Sequence, residues 1–372
     1  MIIFTKDLLQ VNPAYNDSII QFSSNTITEA TKAVITIEDA PFVCVPNSGV
    51  FTFNLKEIIK AKINTNRFED NIIPDLNNDS YILSDASVGK TFTVGIQVFN
   101  LSSNDAVTRN YYFIRGVEQL PDYHRLSALP SGVRVLLPSK NYVDYSVKCF
   151  EGFPFDFGIH GLQTYNEIYF KNVTTNQQTV PFSVPDNNVQ RVYSSDGANN
   201  TTDTDILINS STKNRISLYH NNVFKANIYI TKIESQCGVY LKWLNSKGTY
   251  SYWLFDSIYK ENITPRVIDE FAGYYDNLQN LTSTSHLIGK TAVNTWNLNT
   301  KFDNEDADYL KDLVYSPAVW MYSHQVPFQQ VQTKFDWIGV KVNDSPFPLN
   351  YKTSKNKLAI TITLPEMQTI TQ

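Results

Sequence analysis

The feature that most constrains the fold is a paired run of aromatic and β-branched residues late in the chain. Val239-Tyr-Leu-Lys-Trp-Leu244 and Thr249-Tyr-Ser-Tyr-Trp-Leu-Phe255 flank Asn245-Ser-Lys-Gly248. Such residues suit a pleated, half-buried surface, and Gly248 can take the positive φ that a tight hairpin loop needs. A four-residue loop, or a two-residue Ser246-Lys247 turn, sets one register. It pairs Trp243 with Tyr250, Leu241 with Tyr252 and Val239 with Leu254 on an apolar face. The other face carries Lys242 opposite Ser251, with Tyr240 opposite Trp253. A one-residue slip would send each strand's side chains to the wrong face. Each cross-strand pair contributes only about 0.2–1 kcal/mol, so the hairpin needs a sheet or a partner beneath it.

The rest of the chain extends this pattern. Aromatics make up 13% of the 372 residues, with 22 Tyr, 22 Phe and 5 Trp, and Asn, Asp, Ser and Thr cluster between apolar runs as turn formers do. A hydrophobic share of 42% against 18% charged excludes a disordered chain. The expected class is mainly β: two or three β-sandwich-like domains with a few short helices. At −5 the net charge opposes sequence-independent nucleic-acid binding, which needs many Lys and Arg to displace counterions. No apolar run approaches the roughly 18–20 residues of a membrane helix. Met1-Ile-Ile-Phe-Thr-Lys-Asp7 does not have the basic-then-apolar form of a signal peptide. Cys44, Cys149 and Cys237, odd in number and far apart, read as reduced thiols.

Three segments are expected. Residues 1–120 form an N-terminal β domain with one short helix. Its strands include Ala33–Glu38, Thr91–Phe99 and Tyr111–Ile114. Leu55, Ile58, Ile59 and Ile63 have helical spacing, with Asn54 and Glu57 as a capping pair. Residues 121–272 form a central β domain containing the 239–255 hairpin. Pro121 to Pro138 reads as a linker carrying a strand at Val133–Leu137. Further strands are expected at Val143–Phe150, Glu167–Phe170, Val180–Val184, Ile206–Ile208, Arg215–Tyr219 and Asn227–Ile233. Asp186–Thr204, rich in polar turn formers, reads as a long exposed excursion. Thr264-Pro265 suits a helix start, with Val267, Ile268 and Phe271 on one face. Residues 273–372 form a C-terminal α+β segment that could pack on the central domain. In it, Asp303–Asp308 opens a helix with Ala307, Leu310, Leu313 and Val314 inward, and Trp337–Val342 and Leu358–Leu364 alternate as strands.

Chemistry is not legible in these residues. His124, His160, His220, His286 and His324 have no metal-ligand spacing, and no phosphate-binding loop, dinucleotide fingerprint or nucleophile elbow occurs. Cys149 and His160 are a weak nucleophile–base pairing, since spacing in sequence says little about contact. Asp75-x-Asn77-x-Asp79 opens like a calcium loop but carries Ser80 where the glycine belongs and Ala86 where the bidentate Glu belongs. The acidic run Asp303–Asp308 is explained by the helix dipole. Tyr111, Tyr112, Trp253 and Trp296 could stack on sugars if exposed, although core packing is the simpler role. No catalytic, cofactor-binding or metal-ligating residue is assigned, and a non-enzymatic role is expected.

Cys237–Phe255 resembles a segment of tail proteins of tailed phages that infect Bacteroidetes, of the crAss-like type. Leu310-Lys-Asp-Leu-Val-Tyr-Ser-Pro-Ala-Val-Trp320, Trp337–Val342 and the ending Ile360-Thr-Ile-Thr-Leu-Pro-Glu366 are similar to elements of the same proteins. So is Val50-Phe-Thr-Phe-Asn-Leu-Lys-Glu-Ile-Ile59. The likeness is most specific over residues 237–366. It implies a virion structural protein, a ring-forming component of a tail or tail hub, located in the virion tail after assembly in the host cytoplasm. Its partners would be copies of itself and other tail proteins, with no nucleic acid, membrane or cofactor. Residues 1–10 and the stretch after Pro365 are candidate docking arms. The alternative is a carbohydrate-binding or host-attachment protein, for which a glycan would be the partner.

Overall fold

A computed structural model describes residues 1–27, 29–72, 81–119, 132–139, 141–193, 206–207, 212–234, 237–272, 285–323 and 336–370. It has two compact units. The described residues of Met1–Glu234 with Leu244–Ser251 form the first, and those of Ser235–Trp243, Tyr252–Pro327 and Phe335–Gln372 form the second. This division does not coincide with the expected breaks at 120/121 and 272/273.

The first unit contains two β-sandwiches. In one, the sheet Ile2–Lys6, Ile19–Ser24, Phe51–Asn54 faces the sheet Val11–Pro13, Asn104–Ile114, Gly89–Phe99, Lys32–Ile37, Ala40–Cys44. Alternation does the work here. Ala33, Ile35 and Ile37 point inward and meet Phe92, Val94, Ile96, Phe22 and Phe51, all without solvent exposure. The helix Lys56–Ile63 closes this core with Ile59 and Ile63. Asn54 accepts from the backbone N–H of Lys56 at 3.1 Å, whereas Glu57 pairs with Lys60 instead of completing a capping box. The first residues are not a free arm: Ile2–Lys6 pairs with Ile19–Ser24, and the Met1 ammonium bonds Asp105 at 2.6 Å.

In the second sandwich, one sheet runs Val133–Leu136, Asp156–Gly161, Asn188–Tyr193, Ile82–Ser84. The other runs Asp144–Phe150, Val223–Ile233, Lys213–His220, Tyr165–Asn172, Gln177–Gln178, with Phe182–Val184 beside Tyr165–Asn172. Phe157 meets Phe170 edge-on across the layers at 5.8 Å. Two expectations fail here. Asn188–Tyr193, placed in an exposed excursion, is a strand between Asp156–Gly161 and Ile82–Ser84. The surrounding Asn, Asp and Ser hid the apolar set Val189, Val192 and Tyr193, which is buried. Residues Ile206 and Leu207, expected in a strand, are helical and buried.

The second unit holds most of a seven-stranded sheet: Tyr250–Phe255, Val239–Leu244, Val319–Tyr322, Trp337–Val342, Lys355–Thr363, Ser285–Asp303, Lys260–Ala272. The helical stretch at Asn304–Tyr315 starts with a reciprocal capping box between Asp303 and Asp306, and it buries Ala307, Leu310 and Leu313 as expected. The expected helix after Thr264-Pro265 is instead the strand Lys260–Ala272, paired antiparallel with Ser285–Asp303. Pro265 is tolerated because this is an edge strand, where a missing N–H breaks no ladder bond.

The hairpin is real but its register is not the expected one. The Asn245 N–H bonds Thr249 O at 2.8 Å and the Gly248 N–H bonds Asn245 O at 3.0 Å. Gly248, at φ +85°, supplies the extra bulged residue of a three-residue loop. Leu244 thereby falls opposite Tyr250, and Trp243 lies on the other face. The Tyr240 and Tyr252 rings stack at 6.0 Å and 19°, which the expected register forbids. A period of two does not fix the register here because both strands are buried on both faces. With no wet face, a slip carries little penalty and the turn decides.

Candidate functional site

Most of the chemistry considered from sequence is absorbed by structure. Cys149 and His160 lie on strands of different sheets, and neither ring nitrogen of the buried His160 makes a hydrogen bond. No nucleophile–base contact therefore joins them. The Asp75–Asp79 turn lies outside the described residues, as do His124, His324 and the side chain of His286. Asp303 and Asp306 serve the capping box, and Asp308 bonds Lys311 at 3.0 Å. Tyr111, Tyr112, Trp253 and Trp296, weighed as sugar platforms, are buried. The Tyr111 hydroxyl bonds Asp7 and the Trp253 indole N–H bonds Thr300. None of the three cysteines is in a disulfide; Cys149 is buried and Cys237 exposed. Among the described residues no group of three or more His, Cys, Asp or Glu could hold a metal ion, and no helix is long and apolar enough to cross a membrane.

The rings of the second unit are also occupied from within. Lys242, which shares the hairpin strand with Tyr240, places Nζ 4.3 Å from the centre of the Trp337 ring and 5.3 Å from that of Trp320. Cation–π attraction fixes this arrangement, and the chain's own lysine takes the place a cationic ligand would need.

In the first unit, Arg191 is the centre of a buried charge cluster that sequence did not signal, because its members are far apart in the chain. Its Nε and Nη2 hold both oxygens of Asp156 at 2.7 and 2.9 Å. Its Nη1 bonds Asp70 at 2.6 Å and stands 3.7 Å from Asp85. The Tyr250 ring lies 4.6 Å from the guanidinium. Burial alone would push the Arg191 pKa down, but Asp156 and Asp70 hold it well above the ordinary value. The bidentate geometry and the stacked ring make this a structural clamp.

Among the described residues, two features open to solvent stand out. The first is a ribbon in the second unit. Ser285–Asp303 pairs with Lys355–Thr363 only from Thr295 onward, so its earlier part pairs chiefly with Lys260–Ala272. Met367 touches it through a single bridge to Ala292, which places the stretch after Pro365 against the chain's own ribbon. The ribbon exposes aliphatic side chains on both faces: Ile263 53%, Val267 50%, Ile268 49%, Leu287 42% and Ile288 37%. Two-stranded ribbons are marginally stable in water, and clustered exposed aliphatics mark a surface meant to be covered. Its outer edge carries Pro265, Arg266, Asp269 and Glu270, with register shifts beyond Val267, devices that discourage edge-to-edge pairing. The exposed aliphatics thus lie on the faces, while the edge is guarded.

The second is a cleft of about 490 Å³ in the first unit, lined by several amide side chains and backed by the nearly buried Tyr112 and Tyr165. No sequence signal marked it, since its residues come from seven separate stretches of chain.

No protein-family model and no curated protein matches the chain. Among solved structures it is similar to a titin A168169 structure at 5% identity, covering 62% of this chain and 98% of that one, with a TM-score of 0.25. Fibronectin(III)-like modules of Clostridium thermocellum CbhA match at 8% identity over 63% of this chain and 95% of theirs, TM-score 0.19. The plexin A4 extracellular region matches at 8% identity over 80% of this chain and 32% of its own, TM-score 0.21. These scores carry no argument about function.

Proposed function

We propose that the chain is a virion structural protein, a ring-forming component of a phage tail or tail hub that acts by protein–protein assembly without catalysis. The exposed ribbon carries the reading. A two-stranded extension with aliphatic side chains on both faces and a guarded edge suits burial between neighbouring subunits. Heterologous contacts of that kind, repeated by rotation, close into rings. The likeness of residues 237–366 to tail proteins of crAss-like phages supports the same conclusion and supplies the setting, the virion tail after assembly in the host cytoplasm.

The test is the state of the purified full chain. Light scattering and electron microscopy should show closed oligomers, and Ile263→Asp with Ile268→Asp should dissolve them while leaving the circular dichroism spectrum intact. A chain that stays monomeric at every concentration, and that mass spectrometry does not find in virions, would overturn the proposal.

A further inference from the structure

The cleft in the first unit has the composition of a ligand site. Its volume of about 490 Å³ falls within the range of small-molecule pockets. The backing wall is rigid. Tyr112 stacks face to face on the buried His160 at 4.9 Å and 11°, and Tyr165 is held edge-on against His220 at 4.9 Å and 83°. Gly161 makes this possible, since a Cβ there would lie 2.9 Å from the Tyr165 ring.

The rim is rich in carboxamides: Gln10, Asn110, Gln163 and Asn187. Thr93 donates to the Asn110 Oδ1 at 3.0 Å, which turns the amide's two N–H donors free of that bond. Paired donors and acceptors of this kind match vicinal hydroxyls, and the almost fully buried Tyr112 and Tyr165 back the wall behind them. The charges nearly cancel. Lys225 lines the cleft, and Asp186 is near enough to act on both Tyr112 and Tyr165. Burial and the neighbouring Lys225 push the His220 pKa down, so its ring is neutral at physiological pH. A nucleotide or other multiply charged anion would find one lysine opposed by a carboxylate.

We propose that this cleft binds a neutral saccharide of one or two rings. The cleft's residues belong to the first unit and the ribbon's to the second, so the two roles are separable by mutation.

Saturation-transfer NMR on the full chain, with glucose, galactose, mannose, rhamnose and N-acetylglucosamine as probes, tests the proposal alongside an array of neutral oligosaccharides. Glucuronate and inorganic phosphate serve as charge controls. The expected result is binding of at least one neutral sugar. The exposed-rim variant Gln163→Ala with Asn110→Ala should weaken it by about tenfold or more while leaving oligomeric state and circular dichroism unchanged. No neutral sugar bound at millimolar concentration, binding that survives the double variant, or preference for glucuronate over the neutral sugars would each overturn it. Failure here leaves ring formation untouched, and loss of rings in the ribbon variants leaves sugar binding untouched.

Discussion

One strand, Asp156–Gly161, carries two buried ionisable side chains that the fold treats in opposite ways. At its first residue, Asp156 grips Arg191 of the neighbouring strand through two charge-assisted bonds. At its fifth, His160 is equally buried, stacked on Tyr112, and has no hydrogen bond at either nitrogen. At the first end a full charge is kept in the interior because its partners match it in geometry. At the other a titratable ring is kept neutral: burial, reinforced by the nearby Arg134, pushes the His160 pKa down to about 3. A charged group in a β-sandwich core can thus be neutralised by partners or denied its proton, and the two solutions break under different stresses.

Removing the paired charge should have the largest effect. Arg191→Met leaves Asp156 and Asp70 buried without their guanidinium, and losing one partner of a buried pair costs about 3–5 kcal/mol. Chemical denaturation of the full chain should show that loss, most of it in the transition of the first unit. A loss below about 1 kcal/mol would mean that the cluster is wet or its carboxylates protonated, and the contrast with His160 would collapse.

Acid tests the other end. The folded pKa of His160 lies below its ordinary value near 6.5, so the unfolded chain takes up a proton at a pH where the folded chain does not. Stability is therefore fully present above about pH 6.5 and falls as pH drops toward 3. At pH 5 the decrement is about 2 kcal/mol. His160→Phe keeps the stack on Tyr112 and removes both unsatisfied nitrogens. Its stability should equal or exceed that of the parent at pH 7 and should fall less between pH 6.5 and 5. Parallel profiles for the two proteins would show that His160 titrates normally, through water or local opening.

How far these features could be read in advance follows from distance along the chain. The strands at Lys32–Ile37, Gly89–Phe99 and Lys355–Thr363 were legible because each has one buried and one solvated face, which writes a period of two into the sequence. The helix over Lys56–Ile63 and the capped turn at Asp303 were legible for similar local reasons. The hairpin was legible as a hairpin but not in register, because Val239–Leu244 and Tyr250–Phe255 have no solvated face. The ribbon's sequence suggests a helix: Val267, Ile268 and Phe271 have helical spacing, and an arm exposed on both faces has no alternation to contradict it. The Arg191 cluster and the cleft were not legible. Asp70, Asp156, Arg191 and Tyr250 are brought together only by tertiary packing, as are Gln10, Asn110 and Gln163.

The finest comparison lies within the cluster itself. Asp156 bonds Arg191 through both oxygens, whereas Asp85 offers it only an oxygen 3.7 Å away that makes no hydrogen bond. The other Asp85 oxygen accepts from the Ser87 backbone at 3.0 Å and from its hydroxyl at 2.6 Å. An asparagine can keep both bonds through its carbonyl oxygen, so Asp85→Asn should lose only a long-range attraction, about 0.5–1 kcal/mol. Asp156→Asn should cost several times more, since one of its two contacts becomes donor against donor. Equal losses at the two positions, measured in the same denaturation experiment, would show that net charge, and not hydrogen-bond geometry, holds Arg191 in place.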